Sequence, residues 1–444
     1  MAEFKNAFLQ KLLDFKENTA LICDDEFISY DELLALVQDF VKSLQALKVK
    51  HIALVGNFDK QSIAMLLACL ECSKIVALIH EEDKDFILKA SEAQCDYIFK
   101  EGILKPFKEE NSAKNQLFDR LKNEAGLIIF SSGTTGKPKV IVHNLTTLCA
   151  SFLHKKPKKL CVLLFLMFDH IGGLNTLLNS LAMGACAVAL KNRKDIKALA
   201  LAIEKYKISL LPASVSLLNL MLLSGVKDEF DLSSLRMISY GTEKMPDSLL
   251  VRLKKVFKGV KFHQSFGTSE VGISQSKTYE NAIKLENMDY KIINGELFLK
   301  SQTQSLGYLN ADNSVFDEDG YFATGDLVEL FYKDGEEFIK IIGRSKELIN
   351  VGGEKCLPSE VEDILLSFEG IEDVLVYGAS NALTGQSVTA KIVLHSRLKE
   401  LPKSELRARI KAFCKDKLAN YKIPSKFEFV DELELTNRGK KARA

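Results

Sequence analysis

Neither sign of charge is in excess in this chain: 60 lysines and arginines stand against 59 aspartates and glutamates in 444 residues. That balance leaves no electrostatic footprint for nucleic acid. The tight basic cluster KKPKK, residues 155–159, reads as a solvated loop, with a phosphate contact as the lesser alternative. Long apolar runs are missing as well. None approaches the roughly 18 residues of a membrane span, so no transmembrane segment is expected. The opening MAEFKNAFLQKLLDF is amphipathic but interrupted by charges, and it has no signal-peptide core. No internal repeat and no low-complexity tract is present. Nine cysteines are scattered along the chain and suggest neither a zinc site nor a disulfide framework. Cys23, Cys69, Cys72, Cys149, Cys161 and Cys186 lie in or beside apolar runs, where core packing is the better reading. Unpaired thiols fit a reducing cytosol, so a cytoplasmic location is expected.

What the chain does have is apolar mass. With 47% apolar residues and a length well beyond one typical domain, two or three folding units are expected. Residues 29–47 open as a helix, with Ser29 as N-cap and Glu32 three residues on, the spacing of a capping box. HIALVG reads as a strand, residues 61–73 as a helix and KIVALI as a second strand. The rhythm continues through GLIIF, CVLLFLMF, ACAVAL, ISLLP and LRMISYG, which predicts parallel sheets with helices on their faces. From residue 295 to 343 short alternating runs with Asp-Gly turns predict antiparallel hairpins. After residue 343 the pattern restarts as a small α+β unit. Residues 358–368 and 403–418 read as helices, and DVLVYGA, TAKIVLH and KFEFVDE as strands. The fold class is therefore α/β, with a large multi-sheet N-terminal domain and a smaller α+β C-terminal one.

The most chemically loaded stretch is SSGTTGKPK, residues 131–139, directly after the strand-like GLIIF. Glycines let backbone N–H groups turn toward an anion, hydroxyls add donors and two lysines add charge. The composition suits a polyphosphate. The spacing is not that of the common P-loop, because two residues separate Gly133 from Gly136 and Pro138 sits where a magnesium-binding hydroxyl is needed. Taken alone, the stretch reads equally well as an ordinary turn.

Four further stretches follow: SFGTSE (265–270), GYFATGDL (320–327), GRSKELINVGGEKCLPSEVE (343–362) and TNRGKKAR (436–443). With SSGTTGKPK they resemble, in order, the motifs of the adenylate-forming superfamily, which holds acyl-CoA synthetases, luciferases and the adenylation domains of peptide synthetases. Upstream, SYDELLALVQDFVKSLQAL and SIAMLLACLECS are similar to the opening helices of that family. The resemblance implies a large AMP-binding domain over residues 1–342, a hinge at 343–346 and a mobile lid over 347–444. The chain is short for that family, mainly before Gly126 and between Gly272 and Tyr308, which puts the accessory barrel in doubt.

The same resemblance assigns roles residue by residue. Ser131, Ser132, Gly133, Thr134, Thr135, Gly136, Lys137 and Lys139 would hold the ATP phosphates. Glu270 would hold Mg²⁺, a hard cation preferring oxygen ligands. Ser269 keeps the hydroxyl that touches the α-phosphate, although the family has threonine more often. Gly241 and Phe266 would lie by the adenine, Phe266 replacing a tyrosine, and Gly267 would belong to the ATP-binding set. Asp326 would accept hydrogen bonds from both ribose hydroxyls, for which a carboxylate has two oxygens, and Arg344 would add a further ribose or phosphate contact. Ala323 stands where arginine is common, and Leu435 where proline is. Lys440 matches the catalytic lysine of the tail, with Lys441, one residue out of register, ranked second. Lys346 matches the hinge, and Gly352 and Gly353 a loop lining the thiol tunnel.

In FDHIGGLN, His170 resembles the residue that gates the acyl pocket, and Gly172 and Gly173 would leave space beside it. Core packing of His170 is the plainer alternative. Phe168-Asp169 also echoes amino-acid-activating domains, but the HIGGL context favours a simple acyl or aryl acid. The implied activity uses ATP and Mg²⁺ to join a small carboxylic acid to AMP, then passes the acyl group to a thiol. Coenzyme A and the phosphopantetheine of an acyl carrier protein are both open as acceptor. A ligase loading an amino acid onto a carrier and a non-catalytic binding protein are the alternatives.

Overall fold

The computed structural model describes residues 4–47, 49–107, 115–131, 138–434 and 441. The expected capping box forms in full at helix Tyr30–Ala46. Ser29 Oγ accepts from the Glu32 amide, and the Glu32 carboxylate accepts from the Ser29 amide at 2.8 Å. Strands His51–Gly56 and Ile75–His80 are near-continuous apolar runs and are buried almost throughout. Such runs need cover on both faces, and a parallel sheet with helices on either side supplies it. The two strands pair in parallel, and helix Lys60–Glu71 lies between them in the chain, capped by Asp59.

Among the described residues two seven-stranded sheets form the body. The first runs in the order Gly307–Tyr308, Lys139–Asn144, Gly126–Ser131, Ile75–His80, His51–Gly56, Tyr97–Lys100, Ile103–Pro106. The second runs Lys261–Gln264, Met237–Gly241, Leu210–Ser214, Cys161–Leu164, Cys186–Ala189, Thr19–Cys23, Glu26–Ser29. All its pairs are parallel except the last. Strand Cys161–Leu164 is shorter than the run CVLLFLMF suggests. The chain turns off after Leu164, and Phe168 buries its ring edge-on against Phe58 at 5.3 Å between centroids.

The antiparallel region is larger than expected. It begins at Ser276–Tyr279, upstream of residue 295, because hairpin 276–285 joins strand Glu336–Arg344 through Ala282 and Ile283. The result is a six-stranded sheet with Ser276–Tyr279 and Asp289–Ile293 at its two edges.

Residues 349–427 carry a hydrophobic cluster of their own, from Ile349 through Val374, Val376 and Ile392 to Phe427. Helices Pro358–Leu366 and Lys403–Lys415 pack on a five-stranded sheet there. No helix among the described residues is long and apolar enough to cross a membrane. The nine cysteines are free thiols. Cys69 and Cys72 do stand at C-x-x-C spacing, at the end of helix Lys60–Glu71 and its C-cap. Burial pushes both thiols up, which makes them packing residues and not a redox pair.

Candidate active site

Ligands of open α/β sheets bind beyond the carboxyl ends of the strands. Strand Gly126–Ser131 leads into the SSGTTGKPK stretch and strand Lys139–Asn144 returns from it. Ser131 and Lys139 are direct partners across this antiparallel pair. Ser132, Gly133, Thr134, Thr135, Gly136 and Lys137 lie outside the described residues, so the described loop consists of its two flanks.

Those flanks meet Glu270 through a tyrosine. The Lys139 ammonium sits 4.7 Å from the centre of the Tyr308 ring, and the Tyr308 hydroxyl donates to Glu270 Oε1 at 2.8 Å. Tyr308 is buried, and desolvation followed by the nearby Glu270 charge pushes its pKa up, so it stays a donor. Strand Gly307–Tyr308 places it by pairing with Val142 and Ile141. Lys139, Tyr308 and Glu270 therefore form one contact chain of cation, ring and carboxylate.

Residues 265–273 form a tight hairpin with Ser269 and Glu270 at its tip. Gly267 pairs with Ile273 so closely that a Cβ would fall 2.2 Å from the Gly272 carbonyl oxygen. Thr268 Oγ1 accepts from the amides of Glu270 and Val271, and the Glu270 carbonyl accepts from the Ser305 amide at 2.6 Å. From below, His143 Nε2 donates to the Ser269 carbonyl at 2.7 Å. Burial lowers the His143 pKa, although carbonyls of Ser269 and Thr303 pull the other way, so the ring is held neutral. Gly241 ends strand Met237–Gly241 against this hairpin, where a Cβ would meet the Ser265 carbonyl oxygen and Oγ at 2.7 Å. Phe266 packs in the cluster with Val271, Ile283 and Leu297, which commits most of its ring to the core of the antiparallel sheet.

Asp326 lies buried in strand Phe322–Lys333, directly opposite Arg344 in strand Glu336–Arg344. Arg344 Nε donates to Asp326 Oδ1 at 2.8 Å while its side chain stays 55% exposed. The pair therefore presents a buried carboxylate beside a solvent-facing cation.

His170 is the N-cap of helix Ile171–Ala182, its Nδ1 accepting from the Gly172 amide at 3.2 Å. Gly172 and Gly173 do not leave space. A Cβ on Gly173 would sit 2.0 Å from the Met167 carbonyl oxygen, and one on Gly172 would sit 2.8 Å from Leu166 Cδ1. The glycines let the helix start press on the 166–167 backbone, so room for an acyl group has to come from elsewhere.

Lys346 is exposed in the short turn Ser345–Glu347 between the antiparallel sheet and the following unit. Gly352 and Gly353 make the turn of hairpin 349–356, with φ of +62° and +93°. Two successive positive φ values suit glycine, the residue that pays no Cβ penalty there. Lys440 lies outside the described residues. Its neighbour Lys441 is described, and its ammonium pairs with Asp373 and donates to the Val374 carbonyl at 2.8 Å. Across the domain junction, Lys244 Nζ meets Asp363 Oδ2 at 2.9 Å and Asn219 Nδ2 donates to the Glu372 carbonyl at 3.4 Å. Burial raises the Asp363 pKa despite the lysine beside it.

Sequence reasoning missed Tyr308, His143 and Glu243, whose carboxylate accepts from the Ser216 amide at 3.1 Å and the Lys441 amide at 3.2 Å. Each acts on a residue far away in the chain, and none sits in a periodic run that would flag it. The short GYL around Tyr308, next to a glycine at φ +130°, was the one signal available.

Residues 99–295 match the family model of the AMP-binding enzymes, and residues 360–440 match that of the AMP-binding enzyme C-terminal domain. A 2-succinylbenzoate–CoA ligase of Bacillus licheniformis is 30% identical over 337 aligned positions, covering 70% of this chain and 67% of that protein. A ligase of the same name from Bacillus cereus is 28% identical over 478 positions, covering 98% and 96%. Acyl-CoA synthetase 7 of Caenorhabditis elegans is 30% identical over 358 positions, which take in 72% of this chain and 65% of that relative. In fold, the anthranilate CoA ligase AuaEII in complex with anthranoyl-AMP superposes with a TM-score of 0.83 at 19% identity, over 99% of this chain and 96% of that one. Two family models in the order of the two domains, a relative at 30% identity over two thirds of its length and a shared fold lead to one conclusion: the chain belongs to the AMP-binding enzymes, the adenylate-forming superfamily.

Proposed function

We propose that the protein is an AMP-forming acid–thiol ligase, which activates a small carboxylic acid as acyl-AMP and passes the acyl group to coenzyme A. The observation that carries this reading is the chain Lys139–Tyr308–Glu270 at the mouth of the phosphate-loop stretch. The relatives named as CoA ligases favour coenzyme A over a carrier protein.

A carboxylate does not react with a thiol in water, because hydroxide is a poor leaving group. Joining it to AMP solves this, provided charge on the triphosphate is neutralised and the acid is held in line. The donor set fits Mg²⁺ in such a site. Glu270 is a single carboxylate, held by the Tyr308 hydroxyl on the ring that the Lys139 ammonium faces. Mg²⁺ is commonly held by one or two carboxylates together with substrate phosphates. When bound it would supply charge neutralisation for the triphosphate. Glu270 would hold it, with Tyr308 fixing the carboxylate, while Lys139 and the loop hydroxyls bind phosphate. Asp326 would take the ribose hydroxyls, and Arg344 would add a positive charge from the solvent side.

The lysine of the tail, Lys440, would bring a mobile cation to the attacking carboxylate oxygen and the α-phosphate. For the thiol step the lid, residues 347–444, would turn about the hinge at 343–346 and carry Gly352 and Gly353 to the thiol. A hydrophobic core confined to residues 349–427 supports a unit able to move as a body. His170 would border the acyl pocket from the helix N-terminus. Acid-dependent exchange of labelled pyrophosphate into ATP across a panel of acyl, aryl and amino acids tests the reading. A responding acid names the substrate class, and no exchange with any acid in folded protein favours a non-catalytic binding role.

A further inference from the structure

Lys441 touches both domains by different atoms. Its backbone N–H donates to Glu243 Oε1 of the large domain at 3.2 Å. Its ammonium belongs to the lid: it pairs with Asp373 and donates to the Val374 carbonyl. The side chains of the ion pair are only 17% and 15% exposed, unusual for a lysine in so basic a tail. Glu243 is itself held in place. It accepts from the Ser216 amide at 3.1 Å, and the Ser216 hydroxyl lies within hydrogen-bond distance of both carboxylate oxygens. Glu243 follows Gly241 by two residues, and Thr242 between them takes a left-handed φ of 71°. The bend turns Glu243 back toward helix Val215–Leu223, where Ser216 sits.

A lysine serving only as surface charge would spend its ammonium on water. This one is bolted to the lid by its side chain and to the body by its backbone. Both sets of bonds are satisfied only while the lid is docked as it is here. If the lid turns away, the Asp373 pair travels with it and the Glu243 bond must break. The same ion pair occupies the Lys441 ammonium, which leaves it unsuited to meet a substrate.

We infer that Glu243, Lys441 and Asp373 form a latch that ties Lys441 across the domain junction, a docking that serves adenylation and has to open for thiol transfer. This rests on the reading of Lys440 as the lysine that acts in the first half-reaction. The three are positioning residues: Lys441 touches each of the other two and is next in the chain to the lysine read as acting.

The test compares two half-reactions in wild type, Asp373→Asn, Lys441→Met, their double variant and Lys440→Ala. One assay is acid-dependent pyrophosphate exchange. The other is thioester formation from synthetic acyl-adenylate and coenzyme A. A misplaced catalytic group costs up to about a hundredfold, so each latch variant should slow exchange by roughly ten- to a hundredfold. The KM for ATP should stay within about twofold, and so should thioester formation, because neither needs the latch. The double variant should be no slower than the worse single one, since both break one bond. Lys441→Arg, which keeps charge and N–H, should restore most of the exchange. Unchanged exchange in both single variants overturns the latch, as does an equal fall in both half-reactions. Lys440→Ala separates the two layers. If it spares exchange, the reading of Lys440 fails and the latch with it. If it abolishes exchange while the latch variants do not slow it, only the latch fails.

Discussion

Tyr308→Phe removes one oxygen and leaves the ring. The lost bond is the 2.8 Å donation to Glu270 Oε1. The kept contact is the Lys139 ammonium, 4.7 Å from the ring centre. A hydrogen bond to a charged group contributes about 1.5–3 kcal/mol. If Glu270 holds the metal that travels with ATP, that bond keeps its carboxylate aimed. At about 1.4 kcal/mol per decade, the loss amounts to roughly a ten- to hundredfold drop in kcat/KM for ATP in pyrophosphate exchange. Raising Mg²⁺ should recover part of it, since the defect lies in how the carboxylate is held. Tyr308→Leu also removes the ring from Lys139, worth about a further 0.5–1 kcal/mol. Its exchange rate should fall below that of the phenylalanine variant and respond less to Mg²⁺. Thermal melts of both variants check that the sheet edge at Gly307–Tyr308 is intact. A folded Tyr308→Phe with wild-type exchange at every Mg²⁺ concentration would refute the role given to this contact chain.

Asp326→Ala should raise the KM for ATP tenfold or more, since each bond to the buried carboxylate contributes about 1.5–3 kcal/mol; unchanged nucleotide affinity in isothermal titration would count against the ribose assignment. Glu270→Gln should suppress pyrophosphate exchange far more than it weakens binding of acyl-adenylate, which no longer carries pyrophosphate and its metal; equal losses in both would remove Glu270 as metal ligand. Gly173→Ala should destabilise the large domain by about 1–3 kcal/mol, because its Cβ would fall 2.0 Å from the Met167 carbonyl oxygen. A urea midpoint equal to that of wild type would show that the 166–167 backbone yields freely.

Much of the fold could be read in the chain because buried parallel strands announce themselves. HIALVG and KIVALI are apolar on both faces, and each became a strand at or near its expected bounds. The capping box at Ser29 and Glu32 formed as spaced. Where one face meets solvent the signal weakened. Strands Ser276–Tyr279 and Ala282–Leu285 went unread because their alternation is short and interrupted. The glycines after His170 were read as room when they are close contact, a distinction that depends on residues 166–167 folding back. Phe266, read as an adenine neighbour, lies largely in a core.

The candidate site was legible as motifs and not as contacts. SFGTSE and ATGDL singled out Glu270 and Asp326 as candidates. Nothing in either string says that Tyr308 would hold one or that Arg344 would stand directly opposite the other. Such pairings are set by sheet register between segments remote in the chain. Glu243 stayed hidden for the same reason, since its partners Ser216 and Lys441 come from another helix and the far end of the chain. Of the residues read as phosphate-binding, Ser131 and Lys139 can be placed as partners across one strand pair.

The central claim is that the acid's own oxygen bonds to the α-phosphate of ATP. With the acid identified by pyrophosphate exchange, its carboxylate is labelled with ¹⁸O and turned over with ATP, Mg²⁺ and coenzyme A. Acyl-AMP formation transfers one labelled oxygen to AMP in each turnover, and that is the expected result. Label in inorganic phosphate with release of ADP, or unlabelled AMP alongside the thioester, would contradict the account.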